Sequence, residues 1–156
     1  MRHILSMFLL WAGIPLSAQW SDDFQNSLDT AWSGDREHFI VNHVQQLQLM
    51  APTAGQSSLW RSGQFQNCRI WEIDFFLDFN PSAANRLQIY LTSDSAQVDS
   101  HNALWIEIGE NGNEDSWKLF LRKQKIDSLI ASGKKGLFAT SAVSGRLSLN
   151  RLAPNR

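Results

Sequence analysis

The sequence has 156 residues and a net charge of -1, so it carries no electrostatic footprint for nucleic acid or for an anionic membrane surface. Its 43% hydrophobic content, with seven Trp and nine Phe, suits one packed domain and excludes a disordered chain. The single cysteine, Cys68, excludes an intrachain disulfide and a thiolate metal cluster, and its flanks carry no nucleophile motif, so it is expected as a small apolar filler.

The chain opens with MRHILSMFLLWAGIPLSAQ. Arg2 and His3 form a positive start, an apolar run extends from Ile4 to Ile14, Pro15 breaks it, and Ser17 and Ala18 are small. This is the pattern of a secretory signal peptide cleaved between Ala18 and Gln19. A membrane anchor needs about twenty apolar residues, and this run is shorter. The expected organisation is a signal peptide over residues 1–18 and one domain over 19–156, with a soluble exported chain that has no membrane span.

From Trp20 onward the hydrophobic pattern has period two. HFIV, QLQLM, SSLWR, RIWEIDFFLDF, RLQIYLTS, ALWIEIG, SWKLFLRK and GRLSLNRL alternate or are rich in β-formers. Between them stand the turn signals SGD (Ser33 to Asp35), APTAG (Ala51 to Gly55), NPSAAN (Asn80 to Asn85) and GENGNED (Gly109 to Asp115). Asn111-Gly112 is a hairpin signal, and the acidic turn around it is expected to be solvated. KIDSLIASG is ambiguous: Ile126, Leu129 and Ile130 have helical spacing, whereas Ile126, Ser128 and Ile130 alternate. It is taken as a strand. Short strands at this spacing predict an all-β chain folded as an antiparallel two-sheet β-sandwich.

The segment WEIDFFLDF, Trp71 to Phe79, has the most chemical character. On a strand, Trp71, Ile73, Phe75, Leu77 and Phe79 share the core face, and Glu72, Asp74, Phe76 and Asp78 share the other. The second face resembles the substrate strand of laminarinase-type retaining glucanases, whose motif is E-x-D-x-E, or E-x-D-x-x-E with a bulge. The resemblance implies Glu72 as nucleophile and Asp74 as its assistant. The acid/base place falls on Phe76 or Leu77, and Asp78 lies about 20 Å from Glu72 along an extended strand. Retaining hydrolysis needs two carboxyl groups only about 5 Å apart. The motif is broken, and an acidic solvent face that discourages edge-to-edge aggregation is the simpler reading.

Taken in order, AQWSDDF, AWSGDREHFIVN, LQLMAP, WEIDFFLDFNPSAAN, RLQIYLTSDSA and ALWIEIGENGNEDSWKLFLRK resemble the N-terminal region of secreted Gram-negative surface proteins that carry lamin-tail domains. That region is similar to concanavalin A-like, laminin-G-type jelly rolls. The resemblance implies a jelly roll used at the cell surface, with a first strand near Trp20 to Phe24 lying beside the last strand of the domain. It also implies a domain closer to two hundred residues, so the sandwich is expected to be truncated at its C-terminus, with further domains beyond Arg156. It names no ligand, since the fold hosts lectins, glycosidases and adhesion modules alike.

Other candidate sites have two readings each. Asp94, Asp99 and Asn102 in TSDSAQVDSHN are candidate oxygen ligands for calcium, against a plain polar loop. His38, His43 and His101 lack zinc-ligand spacing, and Ser57 and Ser58 lack a nucleophile elbow. Trp32, Trp60, Trp105 and Trp117 are candidate sugar-stacking platforms, against core tryptophans, with Trp105 and Trp117 flanking the Asn111-Gly112 turn. The sequence therefore points to a secreted, noncatalytic β-sandwich module for binding or display at the cell exterior, with an extracellular glycan or glycoprotein as the leading partner. Candidate ligand-binding residues are Trp105, Trp117, Glu72 and Asp74. A divergent retaining glucanase using Glu72 and Asp74 and a purely structural spacer are the alternatives.

Overall fold

The computed structural model describes residues 20–25, 27–63, 70–96, 100–110 and 114–151. The signal segment, Cys68, Asp99, the Asn111-Gly112 turn and the final residues lie outside them. Among the described residues the chain is all-β, with antiparallel pairing throughout and a single turn of 3-10 helix at Arg36–His38. The strands are β1 (Trp32–Gly34), β2 (Phe39–Val41), β3 (Leu47–Leu49), β4 (Leu59–Arg61), β5 (Ile70–Leu77), β6 (Leu87–Ser93), β7 (Ala103–Ile108), β8 (Trp117–Lys123), β9 (Ile126–Ser132) and β10 (Val143–Asn150). They fall into two compact units, Met1–Arg61 and Ser62–Arg156.

In the first unit β1 pairs with β4 and β2 with β3. The SGD signal contributes to a strand: Ser33 pairs with Trp60 and Gly34 with Leu59. Gly34 has φ +104, and a Cβ there would meet the Ser58 carbonyl oxygen at 2.3 Å, so only glycine lets the two chains approach. Asp35 then fixes the turn, its carboxylate accepting the Ser58 amide N–H at 2.8 Å. Trp20 to Phe24, expected as a first strand, has no strand pairing. The Asp22 carboxylate accepts the Phe24 N–H at 3.0 Å and Phe24 sits at φ 52, so the segment turns where the resemblance implied a strand. Trp32 gathers it locally, with Trp20 edge-on at 5.7 Å and its own Nε1 donating to Asp22 at 2.7 Å.

The second unit is the two-sheet sandwich. β6, β7, β8 and β9 form a four-stranded meander, and β5 pairs with β10 along eight residues to form the facing ribbon. Residues of both sheets close two adjoining cores. One centres on Leu77, Ile108, Phe138 and Val143, and the other on Leu91, Ile106 and Leu119 packed against Trp71, Ile73, Leu147 and Leu149. Phe138 comes from the turn before β10, a segment whose pattern gave no strand. The alternation of β5 is realised as far as Leu77: Trp71, Ile73, Phe75 and Leu77 face the core while Glu72, Asp74 and Phe76 face solvent. The strand then ends, and Phe79, expected on the core face, is exposed.

The ambiguous KIDSLIASG segment is strand β9. Its register shifts between Leu119, opposite Ala131, and Phe120, opposite Leu129, so Ile130 is an extra residue. A bulged strand breaks strict period two, and the break leaves Ile126, Leu129 and Ile130 at helix-like spacing. The link from β8 to β9 is a two-residue turn, Gln124-Lys125, with φ 50 and 67. Both central residues at positive φ make this the type I′ geometry that suits a twisted hairpin, built without the usual Asn-Gly.

Candidate functional site

The exposed face of the β5–β10 ribbon holds the two carboxylates that the sequence singles out. Pairing sets each opposite a specific residue: Glu72 faces Ser148, Asp74 faces Arg146 and Phe76 faces Ser144. Residues opposite one another in an antiparallel pair share a face, so these six side chains form one surface. Arg146 reaches across to Asp74 through two hydrogen bonds, Nε to Oδ1 at 2.7 Å and a terminal nitrogen to Oδ2 at 2.8 Å. This bidentate fork holds the Asp74 carboxyl below its ordinary range, the hydrogen bond contributing most, and holds the guanidinium proton more firmly, with Glu72 nearby adding to the effect.

Two facts limit what this surface does. It is open: the side chains of Arg146 and Asp74 are 65% and 69% exposed. The groups opposite Glu72 and Phe76 are hydroxyls, and the group opposite Asp74 is a guanidinium, so β10 supplies no facing carboxyl. Phe76 is 57% exposed, an aromatic ring standing among polar groups. Hydroxyls, carboxylates, a guanidinium and a bare ring together can hydrogen-bond and stack against a polar ligand.

Trp105 and Trp117 occupy different places from one another. Trp105 is only 4% exposed. It stands on the face of the meander opposite the Ile106 core, in a row across three strands. Tyr90 stacks against it at 5.6 Å and Phe120 at 5.1 Å, both nearly parallel, so both indole faces are covered. The Arg122 guanidinium lies 4.9 Å from the ring centre and forms a bidentate pair with Asp127. Trp117 packs against both cores and borders a small apolar cleft of about 70 Å³ with Ile106, Leu119, Leu147 and Leu149. Neither indole shares the face that carries Glu72 and Asp74. In the first unit Trp60 is 38% exposed, and Trp20, 43% exposed, carries the Arg61 guanidinium over its ring at 5.0 Å.

The structure brings Asp94 and Asn102 together. The Asp94 carboxylate accepts the Asn102 backbone N–H at 2.9 Å and its side-chain amide at 2.8 Å, which holds the carboxyl below its ordinary range, the backbone bond contributing most. The Asn102 side-chain oxygen in turn accepts the Gln124 N–H at 3.4 Å. These groups staple the loop to the β8–β9 turn, and Asp99 lies outside the described residues. Among the described residues no group of three or more His, Cys, Asp or Glu side chains converges for a metal.

Two features were missed from the sequence. The GENGNED turn is not wholly solvated: Asp115 is fully buried, its carboxylate accepting the Glu110 N–H at 3.1 Å and its carbonyl the Phe138 N–H at 3.0 Å. His38 Nδ1 lies 2.8 Å from Ser57 Oγ, a tie between residues 19 apart that no spacing rule signals. Comparison with known protein families, curated proteins and solved structures finds no match.

Proposed function

We propose that the chain is a secreted, noncatalytic β-sandwich module that binds or displays at the cell exterior, with a glycan or glycoprotein as its partner. The observation that carries this reading is the Asp74–Arg146 fork beside Glu72. Retaining hydrolysis asks one carboxyl to attack and a second, about 5 Å away, to hold and deliver a proton. Asp74 is kept in its charged form by Arg146, Phe76 occupies the next place on the face, and the opposing strand offers Ser144, Arg146 and Ser148. Such a surface favours recognition over turnover. Export rests on the signal-like start, and the surface setting on the resemblance to secreted Gram-negative proteins.

The test is hydrolysis. Incubation of the full chain with soluble β-glucan is expected to release no new reducing ends, and Glu72→Gln is expected to leave that result unchanged. Turnover that disappears in Glu72→Gln would establish the glucanase alternative instead.

A further inference from the structure

The outer face of β5 and β10 has a definite size and charge. It is two strands wide and eight residues long, about 10 Å by 27 Å, or roughly 270 Å². A stable protein partner covers about 800 Å² on each side, so this face alone is too small for a second copy or a folded partner. Its width suits one extended chain. Along that length lie the facing pairs Ile70 and Asn150, Glu72 and Ser148, Asp74 and Arg146, and Phe76 and Ser144. Among these described residues two carboxylates stand against one guanidinium, and the guanidinium is already committed to Asp74. The field over this face repels anions and leaves no uncommitted cation among these residues to receive one.

Resting on the binding reading above, we infer that the outer face of β5 and β10 takes a single uncharged glycan chain, stacked on Phe76 and hydrogen-bonded by Glu72, Ser144 and Ser148, and that it rejects uronic or sulfated glycans. An exposed aromatic ring covers the apolar face of a neutral pyranose, and carboxylate and hydroxyl groups bond to ring hydroxyls without needing an opposite charge.

The test compares two probes of matched length by isothermal titration with the full chain: a neutral β-glucan hexasaccharide and an alginate hexasaccharide. The neutral probe is expected to bind at least tenfold more tightly. Phe76→Ala is expected to weaken it at least tenfold with an unchanged melting temperature, and Phe76→Tyr to restore it. Equal or tighter binding of alginate overturns this inference while leaving glycan binding intact. Neutral binding indifferent to Phe76→Ala overturns the assignment of the face. If neither probe binds, the glycan reading itself fails and this inference with it.

Discussion

At the scale of single residues, pairing decides what Asp74 is. Its carboxyl is bound twice by a guanidinium that the sequence places 72 residues away, and no local pattern announces that partner. The identity of the exposed face, by contrast, follows from the sequence, because a strand's side chains alternate and the apolar set of β5 is unbroken. The sign of the coupling to pH follows from the geometry. The folded carboxyl titrates below its ordinary value of 3.8, so the ion pair contributes fully above that value. The contribution is lost as pH falls through the lowered folded pKa, and solvent screening keeps it small. An NMR titration is expected to place the Asp74 midpoint below 3.8 and to return it towards 3.8 in Arg146→Ala. A midpoint unmoved by that substitution would show that the fork does not hold in solution.

At the scale of elements, strands with apolar residues on one face were legible and the devices joining them were less so. β8 and β9 read as adjacent β-rich segments, but the turn between them was silent because Gln124 and Lys125 are not turn-forming residues. Both sit in the left-handed region, which costs an ordinary L-residue about 1–2 kcal/mol. The flanking ladder and the bond from the Lys125 N–H to the His101 carbonyl hold them there. The double substitution Gln124→Asn with Lys125→Gly is therefore expected to stabilise the chain by about 1–2 kcal/mol, since the turn then matches its residues. In urea unfolding the midpoint should rise with the slope unchanged. A lower midpoint would mean that contacts of the Gln124 or Lys125 side chains outweigh backbone preference. The bulge in β9 shows a related limit: one added residue is enough to mix two periodicities within a single short segment.

At the scale of the molecule, the all-β class and the two facing sheets of the second unit were readable because alternating apolar residues must be buried on one side. What the sequence left open was long-range placement: which strands face each other, that the aromatic row of Tyr90, Trp105 and Phe120 stacks on itself, and that Asp115 sinks fully into the fold. Each depends on neighbours supplied from distant strands or loops. We propose that the acidic ribbon of β5 and β10 binds a glycan and does not cleave it. The most direct measurement follows backbone amide shifts of the isotope-labelled chain during titration with the neutral β-glucan hexasaccharide. Saturable shifts at Phe76, Ser144, Arg146 and Ser148 are expected, with an intact hexasaccharide at the end of the titration. Shifts that gather on the Asp94–Asn102 loop and leave the ribbon silent, or the appearance of shorter saccharides, would contradict the proposal.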